Sequence, residues 1–250
     1  VSGALIRPRP RPRASRTLLC LSFCGGGTAP FRSWADALPD DVELALYCYP
    51  GREARFTVPF ARDWEELLGD AVAAVRTVAA RPYVLFGHSM GAWVAFDLAR
   101  RVEGAGAFAP PLALVASAAE APSRVRAGAH TTPCVHDTDA ALLDWMGTSG
   151  QLPEAVRAEP EMMQIALELF RADLRVVDTY RFAPHDRVRT PVQVLYGEDD
   201  DVDAGAVERW RALTDGGLTA DALPGGHFYT PGAWARLPGR LAALRPARLG

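Results

Sequence analysis

The chain is poor in the features that mark several large protein classes. Its 250 residues hold only four cysteines, Cys20, Cys24, Cys48 and Cys134, too few and too scattered for a disulfide framework. Three of them sit in or beside apolar runs, where a free thiol behaves as a small hydrophobic side chain. A reducing, cytoplasmic setting is therefore expected. No apolar run approaches the ~20 residues needed to span a bilayer, and no internal repeat is visible. The net charge of -3 provides no electrostatic reason to expect nucleic acid as a partner. The glycines at 25–27 lack G-x-G-x-x-G spacing and no Lys-Ser/Thr pair follows them, which excludes dinucleotide and P-loop readings. What is abundant is apolar. Hydrophobic residues make up 49% at a mean hydropathy of -0.02, enough for one substantial core in a soluble globular protein.

The first 16 residues carry five arginines, several alternating with proline. With the apolar stretch 18-LLCLSF-23 behind them they superficially copy a secretory signal. That stretch is short and runs straight into a glycine loop, so a strand is the better reading. Arg-Pro alternation cannot build a helix and leans to extended backbone, which predicts a flexible tail over residues 1–16 and a folded domain over 17–250.

Beyond the tail, buried strands are expected at 17–23, 42–49, 83–87, 112–119 and 192–197, with a weaker one at 218–225. Between them lie helices at 31–38, 62–78, 89–104 and 203–214, and a last one at 232–244 interrupted at Pro238. Short apolar strands alternating with amphipathic helices indicate βαβ units and a mostly parallel sheet with helices on both faces. Residues 123–183 break the alternation with consecutive Pro-punctuated helical segments, the pattern of a helical lid inserted at the sheet edge.

The stretch 83-YVLFGHSMGAWVAFDLAR-100 contains a G-x-S-x-G match, Gly87-His88-Ser89-Met90-Gly91, between a predicted strand and a predicted helix. Such a turn holds a serine in a strained conformation above the sheet, with a helix N-terminus facing the developing anion. A serine nucleophile needs a base. His88 points the wrong way. His227 follows the last strand in 224-PGGHFYT-230, downstream of the acidic run 198-EDDD-201, so Ser, Asp and His succeed one another at the C-terminal ends of strands. His185 is a weaker rival. Among the acids, Asp200 stands three residues after Gly197 and is favoured, with Asp199, Asp201 and Asp203 also near. The Gly25-Gly26-Gly27 loop would contribute one backbone N–H of an oxyanion hole, and Met90 the other. The cluster 130-HTTPCVHDTD-139 matches no zinc signature, so it reads as a polar loop and no metal is expected.

Taken together, 25-GGGTAPFRSW-34, 49-YPGREARF-56, 86-FGHSMGAWVAFDLAR-100, 170-FRADLRVVDTY-180, 194-VLYGEDDDV-202 and 224-PGGHFY-229 resemble a type II thioesterase of polyketide or nonribosomal peptide synthesis, in the α/β-hydrolase superfamily. The likeness runs from about residue 18 to 244. It implies hydrolysis of acyl thioesters held on the phosphopantetheine arm of an acyl or peptidyl carrier protein, which is the expected partner. It implies no cofactor beyond that substrate-borne arm, and a monomer. It maps the nucleophile to Ser89, the acid to Asp200, the base to His227 and the oxyanion donors to Gly25 and Met90. Phe31 and Trp34 are expected in the acyl pocket. One departure stands out: the family's first loop carries a proline before its Ala-Gly-Gly, whereas here the chain reads Ser22-Phe23-Cys24-Gly25, which leaves the loop less preorganised. Two other classes fit the same residues, a general carboxylesterase and a noncatalytic carrier-binding protein.

Overall fold

Alternation along the strands sends side chains to two separate cores. In β4 (Tyr83–His88), Tyr83 and Leu85 enter one core while Val84 and Phe86 enter the other. β2 (Arg16–Leu21) divides Leu19 and Leu21 from Leu18 and Cys20 in the same way. Strands apolar on both sides need cover on both faces, and the helices supply it. The computed structural model describes residues 3–106, 108–124, 133–202 and 204–245. Its sheet has seven strands in the order β1-β3-β2-β4-β5-β6-β7, where β1 is Leu5–Ile6, β3 Val42–Tyr47, β5 Ala113–Ser117, β6 Val192–Gly197 and β7 Leu218–Leu223. All neighbours run parallel except β1, which pairs antiparallel with β3.

Helices α2 (Trp64–Val75), α3 (Met90–Ala105) and α7 (Ala204–Arg211) cover one face. The short α1 (Trp34–Ala37), α8 (Pro231–Arg236) and two closing 3₁₀ turns, Leu237–Arg240 and Ala242–Leu244, cover the other. The chain's last apolar stretch is thus broken at Pro238, where a continuous helix would lose a backbone donor. α2 starts where it does because the Asp63 side chain accepts from the Glu66 amide, with Glu65 and Glu66 in the first turn favourably placed against the helix dipole.

Between β5 and β6 the chain inserts α4 (Asp139–Thr148), α5 (Glu154–Arg157) and α6 (Pro160–Asp178). Leu167, Phe170 and Leu174 on α6 recur at helical spacing and pack with Leu142, Met146 and Leu152 into a third, smaller core. Among the described residues no helix is long and apolar enough to cross a membrane.

The N-terminal segment differs from the expected flexible tail. Leu5 and Ile6 pair with Tyr47 and Leu46, and Ala4 and Ala14 are buried. Arg11 donates to the carbonyls of Ala35 and Leu38, which the C-terminus of α1 leaves without helical partners, and to the carbonyl of Val42 at the start of β3. Its own amide donates to Glu43. The strand precedes the Arg-Pro run, whose residues 7–13 lie in no strand. Composition does not show that an edge strand and the carbonyls at a helix end are there to receive the segment.

Candidate active site

Parallel strands bring their C-terminal ends to one edge of the sheet, and the site forms there. β4 ends in Ser89, whose φ of 55° and ψ of -121° are unusual for a residue with a side chain. Such a conformation costs on the order of 1–3 kcal/mol and persists only where its surroundings enforce it. The flanking glycines make it possible. A Cβ at Gly87 would lie 2.1 Å from the Gly91 oxygen, and one at Gly91 would lie 2.3 Å from the Leu21 oxygen. The Ser89 amide donates to the Ser117 carbonyl at 2.8 Å, fixing the turn to β5. α3 then starts at Met90.

His227 and Asp200 meet across the β6 and β7 loops. Nδ1 of His227 lies 3.2 Å from Oδ2 and 3.4 Å from Oδ1 of Asp200. A carboxylate only accepts, so Nδ1 carries the proton and Nε2 presents a lone pair. That Nε2 is buried and has no hydrogen-bond partner among the described residues. Asp200 is the one acid of its run turned inward, with its side chain 7% exposed, whereas Glu198, Asp199 and Asp201 are exposed. Asp203, another nearby acid, lies outside the described residues. His185 is exposed and lines a different cleft.

Ser89, Met90 and His227 line one cavity of about 240 Å³. Its walls are mainly apolar, formed by Trp93 from α3 and by Trp145, Phe170 and Leu174 from the insertion. Trp145 stacks on Phe170 with centroids 5.4 Å apart and meets His227 edge to face at 6.0 Å. Glu120 stands at the cavity with Arg209 paired to both carboxylate oxygens at 2.6 Å. Burial works to raise this carboxyl, but the guanidinium outweighs it and holds the group below its ordinary value. Cys24 also lines the cavity. Burial, reinforced by Asp173, pushes its thiol well up, so it stays protonated and does not compete as a nucleophile.

His88 is wholly buried behind the elbow. Its Nδ1 is 2.9 Å from Ser117 Oγ, which is 2.8 Å from the Tyr229 hydroxyl, which donates to the Leu195 carbonyl at 3.1 Å. One proton order satisfies all three contacts: His88 donates to Ser117, Ser117 to Tyr229, and Tyr229 to Leu195. Burial first, and His227 second, hold the His88 pKa well below its ordinary value. Its Nε2 is buried without a hydrogen-bond partner among the described residues, but a neutral ring set behind the elbow with Nδ1 on Ser117 is a structural histidine.

Two expectations need correction. The Gly25 amide is not available to an anion, because it donates to Asp173 Oδ2 at 2.7 Å. The amides of Cys24 and Met90 have no such partner among the described residues. Phe31 and Trp34 are not in the cavity either. They pack edge to face at 5.2 Å inside the core beneath α1 and α8, with Trp34 5.0 Å from Phe86 and 5.2 Å from Trp234. Their nearness in sequence to the glycine loop misled, since the intervening 3₁₀ turn Ala29–Phe31 carries the chain down to the opposite face of the sheet. The walls actually used were signalled more weakly. Trp93 follows Ser89 by one helical turn, and Phe170 and Leu174 belong to the apolar stripe of α6. His130 of the polar cluster lies outside the described residues, and no His/Cys/Asp/Glu group suited to a metal occurs among those described.

The model of the thioesterase domain matches residues 16–238. The chain is 34% identical over 212 residues to the AMB antimetabolite synthetase AmbE of Pseudomonas aeruginosa, covering 84% of this chain but only 10% of that protein. It is 32% identical over 238 residues to the thioesterase PikA5 of Streptomyces venezuelae, covering 93% of this chain and 82% of PikA5. Among solved structures, the type II thioesterase BorB from the borrelidin biosynthetic cluster superposes with a TM-score of 0.84 at 35% identity, over 96% of this chain and 97% of BorB. With its elbow, its covered parallel sheet and its helical insertion, the chain belongs to the thioesterase family of α/β-hydrolases and has the architecture of the type II enzymes.

Proposed function

We propose that this protein hydrolyses acyl thioesters held on the phosphopantetheine arm of an acyl or peptidyl carrier protein, in a polyketide or nonribosomal peptide pathway. One observation carries the reading: Ser89 on its strained elbow shares an apolar cavity with His227, whose Nδ1 is engaged by Asp200 and whose Nε2 has no partner among the described residues.

In the reaction, His227 Nε2 takes the Ser89 hydroxyl proton as Oγ bonds to the thioester carbon. The carbonyl oxygen becomes an anion held by the Met90 and Cys24 amides. The C–S bond breaks, the proton passes from His227 to the departing thiolate, and an acyl-serine remains. Water then gives its proton to His227 and attacks the acyl carbon. Collapse releases the acid and returns the proton to Ser89. Asp200 keeps the ring in the useful tautomer and supports the imidazolium. The chemistry needs no group beyond the substrate's own arm. A monomer in the cytoplasm completes the proposal, the location being supported by four free thiols.

Hydrolysis should be measured on a panel of carrier proteins loaded with different acyl groups. Free acid is expected from the wild-type chain, with Ser89→Ala reduced by ~10⁴-fold or more in kcat. Strong preference for simple oxygen esters would replace this reading with a general carboxylesterase. A wild-type protein that binds carrier but is inert to fluorophosphonate would indicate a noncatalytic one.

A further inference from the structure

We infer that Asp173, acting with Arg52, is a positioning residue that holds the Cys24 amide in place for the reaction, doing from the helical insertion what a loop proline would do from within the chain. The inference rests on the proposed acyl-transfer reading of the site.

The first loop has little rigidity of its own, with Ser22 ahead of Phe23-Cys24 and three glycines after them. It is gripped from outside instead. The peptide joining Cys24 to Gly25 is held at both ends by the insertion. Its carbonyl accepts from Gln151 Nε2 at 3.0 Å, and its N–H donates to Asp173 Oδ2 at 2.7 Å. The preceding peptide, which carries the Cys24 N–H, has its carbonyl on Phe23 held by the Gly26 amide at 2.9 Å. With the neighbouring planes fixed, the Cys24 N–H has one direction left.

Asp173 is itself locked. Arg52 Nη1 and Nη2 reach its two oxygens at 2.8 and 2.6 Å, and Nη1 also donates to the Gly26 carbonyl at 2.7 Å. Both side chains are buried, 3% and 8% exposed. The Arg52 guanidinium lies over the Tyr49 ring at 5.2 Å, and the Tyr49 hydroxyl donates to the Ser22 carbonyl at 2.9 Å. A buried ion pair is weak support for stability as such, because desolvation offsets the attraction; its better-attested use is to select one arrangement. Here the arrangement selected joins α6, the loop after β3 and the glycine turn. The helix that supplies Phe170 and Leu174 to the cavity wall therefore also sets the anion donor, so cavity and donor keep one geometry.

Two paired replacements avoid stranding a buried charge. Arg52→Met with Asp173→Leu keeps the volume apolar but removes the acceptor at Gly25. Arg52→Gln with Asp173→Asn restores a neutral acceptor. Both should stay folded, with circular dichroism melts near wild type. The first pair should lose ~10–100-fold in kcat with KM changed by less than ~3-fold, a loss confined to the transition state. The second should recover most of that kcat. The rate of Ser89 phosphonylation by a fluorophosphonate should follow the same order, since the phosphoryl oxygen uses the same donors. Wild-type kcat in the Met/Leu pair, or equal losses in both pairs, overturns the inference. A wild-type chain that labels but leaves thioesters untouched overturns the thioesterase reading, while the labelling rates still decide the positioning role. A wild-type chain that does neither overturns both.

Discussion

Two concavities of very different character lie on this protein. The larger, about 950 Å³, runs beside α2 and α3 and the 179–189 connection, and it is lined by charged residues. The smaller, about 240 Å³, is mainly apolar and holds Ser89 and His227. In the large cleft the charges answer one another: Arg100 pairs with Asp97 and Asp186, Arg101 with Glu65, Arg189 with Glu103, and Arg187 with Asp215. In the small one Glu120 is paired with Arg209, but an imidazole nitrogen and two amides have no hydrogen-bond partner among the described residues. The serine beside them sits in a conformation that costs energy to hold. Size does not distinguish a site. Satisfied charges have already used their free energy on each other, and chemistry needs groups that have not.

Three experiments press on this contrast. The largest effect is expected from His227→Ala, which removes the proposed base from the small cavity: kcat should fall by ~10⁴–10⁶-fold with the thermal melt little changed. An unaltered kcat would move the base elsewhere and dissolve the comparison.

The second concerns the other histidine of the same neighbourhood. Above pH 6.5, the ordinary histidine value, both folded and unfolded His88 are neutral and the group contributes no slope. Below it the unfolded chain takes up a proton that the native ring, with its lowered pKa, refuses. Stability should therefore fall as the pH drops from 6.5, and His88→Gln should flatten the decline in melting temperature between pH 7 and 5.5. The same slope in the variant would show that His88 does not cause it.

The smallest effect belongs to the large cleft. Arg187→Ala breaks a pair exposed at both ends, so stability should change by less than about 1 kcal/mol and kcat on an acyl carrier should not change. A marked loss of turnover there would give the cleft a share in the reaction.

The local sequence determined a good deal about this protein. Apolar strands in alternation with amphipathic helices specify a covered parallel sheet, because burial on both faces and a period of two can be read residue by residue. The elbow is local too. Gly87 and Gly91 stand two residues either side of Ser89, and the clashes that exclude any Cβ there involve immediate neighbours or the adjacent strand. The order of Ser89, Asp200 and His227 follows from the order of strand ends.

Tertiary structure alone decided what depends on direction. Four acids crowd the end of β6 within the span of one turn. Which of them faces His227 is set by how closely the β6 and β7 loops approach, where a Cβ at Gly197 would lie 2.3 Å from the Gly225 oxygen. Gly25 and Cys24 are adjacent, yet one amide is taken by Asp173, 148 residues away, and the other has no partner among the described residues. Phe31 and Trp34 lie a few residues from the active loop and on the far face of the sheet. Leu5 and Ile6 became an edge strand because β3 had an open side, and Arg11 of the Arg-Pro run is held because α1 had carbonyls without donors. In each case the deciding partner is remote along the chain, and no local period or propensity carries that information.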